Sequence, residues 1–482
     1  MSEGARYPRV AAMRTADAFA RHLDAARIAL GFDREPAPSG SSALARPFQL
    51  GDVRVGNRFC VLPMEGWDGT RDGEPSDLTT RRWQNFGKSG AKLIWGGEAV
   101  AVRHDGRANP RQLLLTPRTL PAIARLREEL IAAHRDRFGA DADADLYIGL
   151  QLTHSGRFAK PNLHERPEPI AAVANPVLDP RFTAPVRLFS DDELQRLIDD
   201  FIAAARLAAD AGYRFVDVKH CHGYLGHELL GAHERPGPFG GSLENRTRFM
   251  REIIDGIRVT APGLKVVVRL SAFDMVPHRK SAEGPGTPEI DPDDYHSGFG
   301  VIRNGDLAAA LGEARQVLQM LEDRDVRWIC VTAGSPYYCP HVQRPALFPP
   351  SDGYEPPEDP LHGVARLLDA TRLLKAAFPR MAIVGTGYSY LQEWLPYVAE
   401  HQVREGHTDF VGLGRMMLAY PNLPADVLSG APLQRKHICR TFSDCTTGPR
   451  LGLVSGCFPL DPFYLNHPDG ARLKDAKTPA RS

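Results

Sequence analysis

Eight short apolar runs rich in β-branched residues recur along the chain, most of them followed by a stretch with apolar residues at helical spacing. They are FCVLPM (59–64), AKLIWGG (91–97), LYIGLQL (146–152), YRFVDVK (213–219), LKVVVRL (264–270), VRWICVTA (326–333), MAIVGTG (381–387) and DFVGLGR (409–415). This alternation predicts parallel strands separated by helices. Eight such units predict an α/β fold, a closed (β/α)8 TIM barrel. No GxGxxG follows any run, so a Rossmann dinucleotide domain has no support. The spacing is too irregular for a solenoid. Ahead of the barrel, residues 15–30 carry alanine, leucine and phenylalanine at helical spacing with Gly31 as a stop signal, which predicts one leading helix. The segment PAPSGSSA (36–43) predicts a linker before the main fold begins near Phe48. Beyond about Asn466 the chain is polar and aperiodic, which predicts a mobile tail. The expected division is an N-terminal helix and linker (1–45), the barrel (46–435) and a C-terminal extension (436–482).

Composition narrows the partners. Lysine plus arginine equals aspartate plus glutamate at 59 each in 482 residues, so no long-range field draws the chain to nucleic acid or to an anionic membrane. No stretch approaches the roughly 20 apolar residues of a membrane span, and the N-terminus has no signal-peptide core. A small-molecule substrate and a cytoplasmic location are the expectations. Seven scattered cysteines argue against a disulfide framework and for reduced thiols.

In a barrel of this kind chemistry sits at the C-terminal ends of the strands. Gln151 and Arg269 end two of the runs, where an amide and a guanidinium suit the edge of a planar heterocycle with carbonyl acceptors; a structural ion pair at the barrel top is the alternative. Glycines in GTG (Gly385, Gly387) and GLGR (Gly414, then Arg415) would let backbone amides approach a phosphate, with the arginine adding a charge-assisted fork. Glycines that merely end strands would read the same way.

Six stretches carry a resemblance: GNRFCVLPM (56–64), GEAVAVRHDGR (97–107), QLTHSGR (151–157), CHGYLGHELL (221–230), FGGSLENRTRF (239–249) and DFVGLGRMMLAYPNLP (409–424). In this order the chain resembles the Old Yellow Enzyme group of NADH:flavin oxidoreductases, which also includes the 2,4-dienoyl-CoA reductase and trimethylamine dehydrogenase barrels. The resemblance implies FMN bound at the barrel mouth, with Pro63, Met64 and Ala99 along the flavin and Gln151 and Arg269 at its pyrimidine edge. It implies Gly385, Gly387, Gly414 and Arg415 at the phosphate, and NADH or NADPH as electron donor. His222 and Tyr224 match the family's second oxygen-binding residue and its proton-donating tyrosine. The implied reaction is hydride transfer between reduced flavin and an unsaturated carbonyl substrate, an ene-reduction or the reverse desaturation.

Four departures modify that expectation. Lys219 stands three residues before His222, where the family has a histidine; an ammonium there could stabilise an enolate or select an anionic substrate. His220 is expected to face away by strand alternation. Glu65 follows Pro-Met where the family has cysteine or threonine, and it could repel charge on the flavin, pair with Lys219 or accept a substrate proton. Cys439, Cys445 and Cys457, with Phe442 near the place of another, fall short of the four thiolates of an iron–sulfur cluster, so no cluster and no other metal site is expected. The chain also ends soon after this segment, so electrons are expected from a nicotinamide visiting the flavin directly. Long loops at 273–312 and 335–359 are expected to cover the site, with Tyr337, Tyr338 and His341 as pocket-lining candidates. Two other readings stay open: a Schiff-base lyase using Lys219 as nucleophile, and a non-catalytic flavin carrier or scaffold. A homo-oligomer is a further possibility.

Overall fold

The computed structural model describes residues 6–38 and 40–477. Each of the eight apolar runs contains one barrel strand: β1 Phe59–Val61, β2 Leu93–Ile94, β3 Tyr147–Thr153, β4 Phe215–Val218, β5 Lys265–Ser271, β6 Trp328–Thr332, β7 Ala382–Gly385 and β8 Phe410–Leu413. All neighbours are parallel, and β1 pairs with both β2 and β8, so the sheet closes. Closure buries both faces, which is why the strands read as continuous apolar runs instead of alternating ones. The short strand Ala99–Ala101 adds to β3 just beyond the end of β2.

Inward side chains fill the barrel. Trp95, Tyr147, Phe215, Val267, Trp328, Cys330, Val384 and Phe410 form one interior cluster. An antiparallel hairpin, Phe48–Leu50 with Val53–Val55, packs against that cluster, and the Phe48 ring meets Phe410 and Trp328 edge-on at 5.0 and 5.5 Å. A larger apolar layer lies between the strands and the outer helices. One end is therefore plugged, and the other is left for chemistry. Among the described residues no helix is long and apolar enough to cross a membrane.

Two expectations about the chain ends are corrected, and the end of the expected linker proves to be anchored. The leading helix spans Ala16–Ala25 and stops short of Gly31. Arg27 takes a left-handed φ of 56°, and the amides of Arg27 and Ile28 donate to the Asp24 and Leu23 carbonyls, a Schellman closure made without glycine. The end of the expected linker is tied down: Glu400 accepts from Ser42 Oγ and Ala43 N, both at 2.6 Å, while Ser39 lies outside the described residues. The expected mobile tail is instead a helix over Pro468–Lys477. It buries Leu473 against Leu453, Val454, Phe458 and Tyr464, and the Asp469 carboxylate accepts from Val454 N at 3.1 Å.

Candidate active site

A cleft of about 710 Å³ opens at the C-terminal ends of the strands. Of the residues singled out in the sequence, it gathers Pro63, Met64, Glu65, Ala99, Gln151, Lys219, His222, Tyr224, Arg269, Tyr337, Gly387, Gly414 and Arg415. A second cavity, about 560 Å³ and lined by His233, Tyr295, Arg303 and Glu313 among others, holds none of them.

One wall carries a cluster of proton-bearing groups. Lys219 follows the last residue of β4, and its Nζ lies 3.8 Å from the centre of the Tyr224 ring. The Tyr224 hydroxyl donates to the Glu65 carboxylate and lies 2.8 Å from the Tyr337 hydroxyl. Tyr337 in turn stacks on Phe158 with ring centres 4.1 Å apart. Burial pushes the Glu65 carboxyl up, against the pull of the Lys219 ammonium and the Tyr224 hydrogen bond. Burial pushes Lys219 down, against the pull of Glu65. Tyr224 is held well above the usual phenol range by burial and then by Glu65 and Tyr337. The loop bearing Glu65 is anchored on both sides of Gly66. The Gly66 amide donates to Glu98, Asn109 Nδ2 donates to the Gly66 carbonyl at 3.0 Å, and buried Arg82 bridges Glu98 and Asp68.

His222 sits on the chain's sharp exit from β4 with a φ of 67°, a strained value for a residue with a side chain. Its backbone is clamped by Ser271, whose Oγ accepts from His222 N at 3.1 Å, and by Ser335, whose Oγ donates to His222 O at 2.9 Å. Burial, then the Arg269 and Lys219 cations, hold the imidazole well below its usual range. The ring is thus neutral near pH 7, and it meets Gln343 across 3.1 Å between the two Nε2 atoms. If the Gln343 amide donates, the ring proton resides on Nδ1. His220 turns away from the cleft, with Nδ1 3.0 Å from the Val218 carbonyl.

The floor is organised by a residue that sequence reading passed over. Asp217, fully buried in β4, accepts from Gln151 Nε2 at 2.6 Å, Trp95 Nε1 at 2.9 Å and Arg269 N at 2.7 Å. Burial pushes its carboxyl up to about 6, with the Gln151 hydrogen bond opposing. The available signal was an acid inside an apolar run, YRFVDVK. Gln151 and Arg269 are therefore fixed by the same carboxylate. Arg269 also donates to the Pro63 carbonyl at 3.4 Å, and its Nε has no partner among the described residues.

At the far end Gly387 adopts a φ of 102°, and a Cβ there would approach Leu367 to 2.9 Å. A Cβ on Gly414 would instead project into open space, with only Met64 Sδ nearby at 4.0 Å. Arg415 donates through Nη2 to the Pro345 carbonyl at 2.9 Å, while its buried Nη1 has no partner among the described residues. Thr386, Ser389 and Gly412 also line this end.

Three expected residues lie elsewhere. Gly385 does not line the cleft; its amide is committed to Thr408 Oγ1 at 3.1 Å. Tyr338 points opposite to its neighbour Tyr337 and donates to Asp274 at 2.7 Å in the core. His341 starts a short helix and packs under the loop, its Nδ1 2.8 Å from the Tyr354 hydroxyl and its ring 4.7 Å from that of His278. All seven cysteines are free, and among the described residues no three histidine, cysteine or acidic side chains converge as a metal site. Cys445 lies on the cleft wall.

A closed parallel β/α barrel that gathers these groups in one cleft at its strand ends defines the class of fold and site. The chain belongs to the NADH:flavin oxidoreductase / NADH oxidase family, which residues 43–287 match. It is 30% identical over 237 residues to an NADPH dehydrogenase of Bacillus subtilis (strain 168), a match covering 48% of this chain and 64% of that protein, just under two thirds of its length. It is 28% identical over 353 residues to putative 12-oxophytodienoate reductase-like protein 1 of Arabidopsis thaliana, covering 70% of this chain and 91% of that one. Among solved structures, a 2-naphthoyl-CoA reductase complex matches with a TM-score of 0.66 at 21% identity, over 90% of this chain and 58% of that chain. The last of these bears on fold alone.

Proposed function

We propose that the chain holds FMN in the cleft and uses it to reduce an alkene conjugated to a carbonyl, or to run that reaction in reverse. The observation that carries this reading is the pairing, in one cleft, of the Lys219–Tyr224–Glu65 cluster with guanidinium atoms that lack protein partners. FMN fits the donor set. Arg269 Nε and Arg415 Nη1 are buried and unpartnered, which is costly unless a ligand satisfies them, and the space beside Gly414 is open. Pro63, Met64, Ala99, Gln151 and Arg269 would hold the ring system, and Gly387, Gly414 and Arg415 the phosphate. Once bound, FMN supplies a two-electron carrier that gives or takes hydride.

The chain's own residues do the rest. Neutral His222 and the Lys219 ammonium offer N–H donors to a carbonyl oxygen, where negative charge grows as the β-carbon receives hydride. Tyr224 holds a proton at Oη for the α-carbon. Glu65, hydrogen-bonded to that oxygen, replaces the proton or, in the reverse direction, receives it. When Glu65 is ionised the Lys219 ammonium offsets its charge, so giving up the proton to Tyr224 leaves a buried ion pair in place of a lone ammonium.

The test is the visible spectrum of purified protein before and after anaerobic addition of NADH or NADPH. Flavin bands at about 450 nm that bleach, and return on adding an enone, are the expected result. A colourless protein that takes up no added FMN would overturn the reading.

A further inference from the structure

Arg344 lies in the loop after β6, at the end of the short helix Pro340–Gln343, and it lines the same cleft as Arg415, Gly387, Ser389 and Gly414. Its Nη1 donates to Thr446 Oγ1, and its Nη2 is buried with no partner among the described residues. Arg415 presents the same condition at Nη1. Two guanidinium groups are thus held close enough that burial and Arg415 together push Arg344 down. Among the described residues neither has a carboxylate partner. Ten lysine or arginine side chains line the cleft against only two carboxylates, Glu65 and Asp352. The first is bound to Tyr224 and the second to Arg450. Two like charges with unpaired inward N–H groups are stable together only if an anion joins them.

We infer that Arg344 is a second guanidinium for the flavin phosphate, and that the C-terminal extension is what puts it there. The inference rests on the FMN reading above. The extension pins the Arg344 loop at several points. Ser443 Oγ donates to the Phe348 carbonyl at 2.7 Å, Ser351 N donates to Thr447 Oγ1 at 3.1 Å, and Arg450 bridges Asp352. Thr446, from the same helix Asp444–Arg450, orients the guanidinium itself. Residues 443–450 therefore act as a clamp on the arginine and through it on the dianionic end of the cofactor.

Riboflavin, which lacks the phosphate, separates this role from general flavin binding. Full-length Arg344→Met and Thr446→Val proteins are compared with the unmodified chain by equilibrium dialysis against FMN and against riboflavin. Arg344→Met should weaken FMN by about tenfold or more, the loss expected for a charge-assisted hydrogen-bond pair, with riboflavin affinity within about twofold of its original value. Thr446→Val should give the same selective loss at smaller size, and it decides the matter if Arg344→Met does not fold. Equal changes for both flavins, or none, would overturn the inference while leaving FMN binding by the unmodified protein intact. Unchanged FMN binding with a raised KM for NADPH would assign the anion to the nicotinamide nucleotide and overturn it as well. If the unmodified protein retains neither flavin, the FMN reading itself fails.

Discussion

Replacing Lys219 by methionine separates the catalytic from the structural meaning of the buried ammonium. The side chains are similar in length, so packing against Tyr224 persists. What disappears is a cation 3.8 Å from the Tyr224 ring centre and one N–H donor to the developing oxyanion. A desolvated cation–π contact is worth about 2 kcal/mol, and losing one oxyanion donor typically costs ~3–4 kcal/mol, about 10²–10³ in rate. Relief of the buried ammonium is outweighed by the lost cation–π contact with Tyr224 and by the buried Glu65 left without its cation. Thermal stability should therefore fall modestly. Glu65 is left without its cation and rises further, so it stays protonated over a wider pH range. The assay is anaerobic stopped-flow: reduction by NAD(P)H is followed first, then reoxidation by cyclohex-2-enone. The first rate should be nearly unchanged and the second should fall by about 10²-fold or more. A reoxidation rate within about threefold of the original, less than 1 kcal/mol of barrier, would refute a role for Lys219 at the reacting oxygen.

Three further substitutions probe neighbouring claims. Tyr224→Phe should lower enone reduction by about 10²-fold or more while leaving reduction by NAD(P)H alone; equal effects on both half-reactions would count against a proton held at Oη. Asp217→Asn should lower stability by about 1–3 kcal/mol and reduce flavin retention, because one amide oxygen cannot accept what the carboxylate takes from Trp95, Gln151 and the Arg269 amide; unchanged urea unfolding and flavin content would dispose of it as an organiser. Asp274 is raised by burial to about 7, so the folded state holds a proton that the unfolded state releases. Stability should fall as pH rises from about 4 to about 7, by up to about 4 kcal/mol. Asp274→Asn should flatten that slope, since the Tyr338 hydroxyl can accept as well as donate; a slope identical to that of the unmodified chain excludes Asp274 as its source.

The barrel was legible because closure buries every strand on both faces, and that condition writes itself as eight apolar runs. The Lys219, His222 and Tyr224 positions were legible for a related reason: a strand end fixes where its next few residues can go. Loops impose no such constraint. Tyr337 and Tyr338 look equivalent in sequence, yet consecutive side chains diverge, and one faces the cleft while the other meets Asp274 in the core. His341 fails similarly, since the helix begun at Pro340 turns it under the loop. The ends of the chain misled because polar segments can be held by a few buried contacts. Arg27 closes a helix that glycine was expected to close, and Leu473 with Asp469 suffices to dock the last one. Arg344 was hidden for the opposite reason. Nothing local distinguishes an arginine in a proline-rich loop, and only its unpaired nitrogen beside that of Arg415 marks it. Buried atoms without partners are not visible in a sequence, because they are a property of two distant segments brought together. Here those segments are the loop after β6 and the extension beyond residue 436, whose Thr446 accepts from the Arg344 guanidinium at the cleft wall.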